Sequence, residues 1–169
     1  MSDSATSDIA TAEIKELLER FRQSPSVLEK ALDGVTEEES KFSPAPGKWT
    51  IREIVRHVAD TEFLAGVRLR QMIAEDRPDL AMFDQDKWAV SLKYNDSDPR
   101  DALLDFGVLR EMNTTMLAAV PPEAYDREGI HAKRGVTTLR FWVDLFAKHI
   151  DKHAQQILVA REAFAKRAR

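Results

Sequence analysis

The sequence predicts an all-α protein, a four-helix bundle with a longer crossover between helices two and three. Three observations lead there. Four long segments repeat apolar residues at helical spacing, clusters of proline and glycine fall between them, and no run alternates in the manner of a strand. Four amphipathic helices joined by one long connection bury their apolar stripes against one another as a bundle. The 169 residues read as a single domain, 1–169, with a core of about 8–166.

The first helix is expected from about Asp8 to Leu32. Ile14, Leu17, Leu18, Phe21, Val27, Leu28, Ala31 and Leu32 form its stripe. Pro25 lacks a backbone donor and is expected to kink or restart the helix, and Gly34 is expected to end it. The turn SPAPGKW follows, then Thr50 with Glu53 three residues later, the pattern of a capping box. A second helix should run from Ile51 to about Glu75 and close at Pro78. The stretch from Pro78 to Pro99 is weakly patterned but holds Phe83, Trp88 and Tyr94. It reads as a crossover that lays aromatics on the bundle, with a short helix near Asp86 to Leu92. Asp98 followed by Pro99 starts the third helix, which stops before Pro121 and Pro122. After a connection without strands, the fourth helix is expected from about Thr137 to Lys166.

Composition narrows the function. Hydrophobic residues make up 43% and charged residues 32%, values ordinary for a globular protein, and the net charge of −4 argues against a general nucleic-acid partner. The basic tail REAFAKRAR is read as complementing the helix dipole rather than as a binding patch. There are no cysteines, so disulfides, thiolate metal sites and a cysteine nucleophile are excluded. The N-terminal stretch has no signal-peptide core and no run reaches the length of a membrane span. A cytoplasmic location without membrane association is the expectation.

The chemistry gathers on histidine. His149 and His153 stand four apart on the last helix, and residues so spaced share a face. They fall in line with Trp142, Leu145, Phe146 and Ile157, whereas Lys148, Asp151, Lys152, Gln155 and Glu162 form the polar side. Two neutral imidazoles one turn apart direct nitrogens at one ion, unless they are simply hydrogen-bonded core residues. A metal site needs a third ligand, and His57 on the apolar edge of the second helix is the candidate. His131 falls in a loop and reads as surface, with a position over the site as the alternative. No helix carries Glu-x-x-His, which excludes a di-iron bundle, and HEXXH is absent. Asp60 could orient a ligand or act as a catalytic base, or else pair with Arg56 one turn back. Glu53 is accounted for by capping. Trp88, Tyr94 and Trp142 either wall a pocket or pack the core, and Trp49 reads as packing only.

Three stretches carry a family likeness: SPAPGKWTIREIVRHVADTEFLAGVRLR, FDQDKWAVSLKYNDSDP and GVTTLRFWVDLFAKHIDKHAQQI. Together they resemble the DinB-like (YfiT-like) superfamily of metal-dependent four-helix-bundle enzymes, over about Ser24 to Ala163. The resemblance implies a divalent ion, nickel or zinc, held by three histidines that match His57, His149 and His153. It also implies either hydrolysis or thiol-dependent transfer and isomerisation with bacillithiol, mycothiol or glutathione, and a possible homodimer. With no cysteine in the chain, such a low-molecular-weight thiol would come from cofactor or substrate. The expected function is therefore a metal-dependent hydrolase or thiol-dependent S-transferase acting on a small molecule. The alternative is a non-catalytic, metal-stabilised bundle that binds a ligand or partner, its ion closed off by His131.

Overall fold

The computed structural model describes the backbone of residues 2–167 and the side chains of residues 11–167. Four long helices form the bundle: α1 (Ser2–Leu32), α3 (Ile51–Ala74), α5 (Pro99–Ala118) and α6 (Leu139–Arg167). Two short helices, α2 (Glu37–Ser40) and α4 (Gln85–Ser91), lie in the connections, with single 3-10 turns at Tyr94–Asp96 and Pro122–Asp126. The capping box of α3 is present as the sequence predicts. Thr50 accepts from the backbone of Glu53 at 3.2 Å, and the Glu53 carboxylate accepts from the backbone of Thr50 at 2.8 Å. Thr36 and Glu39 repeat the device on α2.

Pro25 neither kinks nor restarts α1, contrary to expectation. Proline leaves the carbonyl four residues back, that of Phe21, without its usual donor. Here the Ser24 hydroxyl donates to that oxygen at 2.7 Å and Arg110 donates at 3.2 Å, so the helix continues.

Around the bundle α1 neighbours α5 and α6, and α3 neighbours α5 and α6. The pairs Arg56–Asp105, Glu62–Arg110 and Arg70–Asn113 advance together along both chains, so α3 and α5 run parallel. His57 meets His153 and Arg68 meets Trp142, so α6 runs antiparallel to α3. Parallel neighbours oblige the chain to return the length of the bundle, and the crossover between α3 and α5 does so. It is fastened to α3 where Arg68 donates to the Ala81 carbonyl, Tyr94 donates to Asp60, and Thr50 donates to the Asn95 side chain.

The segment before α6 was expected to lack strands, yet it forms a hairpin of β1 (Glu128–His131) and β2 (Gly135–Thr138). Four-residue strands are too short for alternation to stand out in sequence. The turn is completed by Gly135 at φ +73°, a conformation that favours glycine. Thr137 and Thr138 thus belong to β2, and the helix begins at Leu139. Pro78 and Leu80 exchange backbone hydrogen bonds with Ile130, adding a short third rung to β1. No helix among the described residues is long and apolar enough to cross a membrane.

The core is two apolar clusters, one around Phe21, Leu69, Leu117, Trp142 and Phe146, the other around Leu28, Ile54, Val58, Phe106, Ile150 and Ile157. Between them lies a polar layer centred on Arg110, 1% exposed, whose guanidinium donates to Glu62 at 2.7 Å and to the carbonyls of Phe21 and Phe146. Asn113 donates to the other Glu62 oxygen at 2.7 Å. Gly66 makes room for it, because a Cβ there would stand 2.7 Å from the Asn113 side-chain oxygen. Burial pushes the Glu62 carboxyl upward, and Arg110 and Asn113 oppose that push.

Removing one partner leaves the other charge buried and alone. Arg110→Met is expected to cost about 3–5 kcal/mol in urea unfolding. The double variant with Glu62→Gln should lose less than the single one. Equal losses would show that the pair is uncoupled.

Candidate metal centre

His57 sits on α3 between Ile54 and Val58, and the stripe that buries those residues carries its ring inward, to 2% exposure. On α6 the turn from Phe146 to Ile157 buries His153 to 4% and leaves His149 half-buried. Because α3 and α6 are antiparallel neighbours, the three rings meet. Their centroids are 5.5 Å (His57–His149), 4.9 Å (His57–His153) and 4.2 Å (His149–His153) apart. One ligand nitrogen from each lies within 4.8 Å of the others, a spacing that fits a single ion. Among the described residues no carboxylate joins this cluster.

Hydrogen bonding sets the protons. The Nδ1 of His153 lies 2.7 Å from the Gln156 side-chain oxygen, which only accepts. Nδ1 therefore carries the proton and Nε2 keeps its lone pair. The Nε2 of His149 stands 2.9 Å from that lone pair. Thr61 lies beside the His57 ring, its hydroxyl 3.4 Å and 3.5 Å from the two nitrogens. Burial is the first cause that pulls all three pKa values down, from 6.5 to about 3 for His57, about 2 for His149 and about 4 for His153. The neighbouring histidines add to the effect on His57 and His149. The trio is thus held neutral, the state in which imidazole binds metal.

Aromatic rings close the surroundings. Trp49, expected only to pack, does so directly on His57 at 4.8 Å, and Phe83 of the crossover stacks beside the same ring at 6.2 Å with Trp88 behind it. Phe83, Gln156 and Thr61 were not singled out from the sequence. Gln156 follows His153 by three, a helical spacing that could have found it, but nothing in the pattern of the crossover points to Phe83. Tyr94 lies away from the rings and donates to Asp60 at 2.6 Å. Both Asp60 oxygens are engaged, one by Tyr94 and the other by Arg56 at 2.6 Å. Glu53 caps α3.

His131 does not join the trio, and the expectation of a surface position is corrected. It ends β1 at 6% exposure with its ring 5.1 Å from Trp142. Alternation along the strand explains this, because Glu128 and Gly129 precede Ile130 and His131 in an out-in-out-in order. Glu128 and His131 have Glu-x-x-His spacing, but on a strand residues three apart point to opposite faces.

The fold and site define a class: a four-helix bundle with an inward trio of histidines contributed by two antiparallel helices. The DinB superfamily model matches residues 20–157, and the chain belongs to that superfamily. Relatives share about a quarter of their residues with it. A candidate metal-dependent hydrolase of Geobacillus thermodenitrificans is 25% identical over 162 residues, spanning 94% of this chain and 89% of the relative. One from Oceanobacillus iheyensis is 24% identical over 151 residues, 89% and 87% of the two chains. The solved structure of YfiT from Bacillus subtilis, described as a candidate metal-dependent hydrolase with an unusual four-helix bundle topology, superposes with a TM-score of 0.82. At 21% identity over 88% of this chain and 86% of that one, it speaks for the fold.

Neutral buried histidines make stability depend on pH. Below about 6.5 the unfolded chain binds protons that the folded, metal-free chain refuses, so stability falls with falling pH down to about 4. Three such groups give a slope of up to about 4 kcal/mol per pH unit. Urea midpoints of metal-free protein at pH 7.5, 6.5 and 5.5 measure it, and His149→Asn with His153→Asn should flatten the trend.

Proposed function

We propose that this protein is a metal-dependent enzyme in which His57, His149 and His153 hold one divalent ion. The observation that carries the proposal is the convergence of three neutral imidazoles, desolvated and free of carboxylates, within one ion's reach. An all-nitrogen donor set suits zinc or nickel and is a poor match for magnesium or calcium. When bound, such an ion supplies a Lewis acid that lowers the pKa of a coordinated water or thiol toward neutrality.

The protein's own residues do the remainder. Gln156 fixes the tautomer of His153, which holds the ligand nitrogen toward the trio. Trp49 and Phe83 exclude water around His57 and give a substrate an apolar wall. Among the described residues no fourth His, Asp or Glu closes the cluster, which favours an open catalytic position over a purely structural site. His131, the one spare histidine, is occupied beside Trp142. Asp60 acts in this scheme through Arg56 and Tyr94, holding the crossover against α3. The reaction is hydrolysis of a small molecule, in keeping with what the relatives are named for. Thiol-dependent transfer is the second branch of the same chemistry, with the thiol brought from outside because the chain has no cysteine.

Purified, untagged protein should contain or take up one equivalent of zinc or nickel. His149→Ala with His153→Ala should abolish uptake, while His131→Ala leaves it unchanged. Metal at 100 times its Kd should stabilise the parent by about 2.7 kcal/mol. Folded parent that takes up neither metal would defeat the proposal, and turnover of esters against thiol addition then separates the two branches.

A further inference from the structure

Among the described residues three arginines are buried: Arg52, Arg68 and Arg110, at 7%, 5% and 1% exposure. Two of them face carboxylates, Arg52 on Glu37 and Arg110 on Glu62. Arg68 has no carboxylate partner among the described residues. Its Nε donates to the Ala81 carbonyl at 2.8 Å, Nη2 donates to the same oxygen, and the guanidinium lies 5.0 Å from the centre of the Trp142 ring. A carbonyl dipole and a ring face offset part of the cost of burying a cation, but they do not neutralise it.

The surroundings make the imbalance larger. Burial, then the charge of Arg134, lowers Arg68 to about 10. His131 is lowered by burial and then by Arg68, Arg134 and Lys133, so the ring is neutral beside three cations. Its Nδ1 accepts the backbone N–H of Lys133 at 3.3 Å, which leaves the proton on Nε2 as a donor with no acceptor among the described residues. Arg134 and Lys133 likewise have no carboxylate partner there. A cleft of about 640 Å³ opens at this corner, with Lys133, Arg134, Thr137 and Phe141 among its walls, and Thr137 accepts the indole N–H of Trp142 at 2.8 Å. The acid in its lining, Glu128, is paired with Arg77 at 3.3 Å.

We propose that Arg68, His131 and Arg134 form a subsite for the carboxylate or phosphate group of a small anionic ligand that enters through this cleft. Trp142 stands two turns before His149 on α6, about 10 Å along the axis. Trp142 and Phe146, with centroids 5.4 Å apart, continue the aromatic wall toward the histidine trio. The substrate of that centre is accordingly an anionic molecule whose acidic end is held at Arg68. This last step rests on the proposed function, whereas anion binding itself does not.

Calorimetric titration of metal-free protein with inorganic phosphate, and separately with succinate, tests the subsite and distinguishes the two anion chemistries. The parent should bind at least one of them. Arg68→Met, which keeps the stem over Trp142, should weaken binding by about tenfold or more. Arg134→Ala, a change on an exposed side chain, should also weaken it and decides the matter if Arg68→Met does not fold. Binding that survives both changes, or a parent that binds neither anion, overturns the subsite. A parent that binds no anion but takes up zinc leaves the metal centre standing. Anion binding without metal uptake leaves the subsite and removes only its link to the centre.

Discussion

One guanidinium holds the bundle in register. Arg110 of α5 reaches a carboxylate on α3, a carbonyl on α1 and a carbonyl on α6, so a single side chain touches all four long helices. It also lies over Phe21, 3.7 Å from the ring centre, which covers one face of the group with apolar surface. A buried ion pair is weak evidence for net stability, since desolvation offsets much of the attraction. Its effect here is geometric. Charge and hydrogen bonds tolerate less sliding than methyl groups do, so the polar layer fixes how far each helix is displaced along its neighbours.

The histidine trio depends on that register. His57 and Glu62 lie about one and a half turns apart on α3, and Phe146 and His149 lie one turn apart on α6. A helix displaced by one turn would carry its imidazole about 5.4 Å past the others, beyond the reach of a common ion. The layer that separates the two apolar clusters thus also sets the level of the candidate metal centre. Polar chemistry is concentrated at one height of the bundle, with close-packed apolar residues above and below it.

Topology contributes the outer wall. Parallel α3 and α5 force a long return, and that return is not idle chain. It brings Ala81 to Arg68, Phe83 to His57 and Tyr94 to Asp60, so that α3 is covered along the face it shares with α6. Two chemically different ends of that face result. One gathers neutral nitrogen donors, and the other gathers cations that lack carboxylate partners.

Much of this was legible in the sequence, because helical spacing is a local property. The four long helices, the cap at Thr50, the start at Asp98 and the inward direction of His57, His149 and His153 all follow from residues a turn or two apart. Pro25 was misjudged because the donors that replace its missing hydrogen bond include Arg110, which lies 89 residues from the Phe21 carbonyl. The hairpin escaped notice because strands of four residues carry too few alternations. His131 looked exposed because a connection between helices gives no sign that one of its residues will face a tryptophan of the next helix. Phe83 at the metal centre and the uncompensated charge of Arg68 were decided by the crossover and by which carboxylates come within reach. Those are relations between distant segments, and only the packed chain contains them.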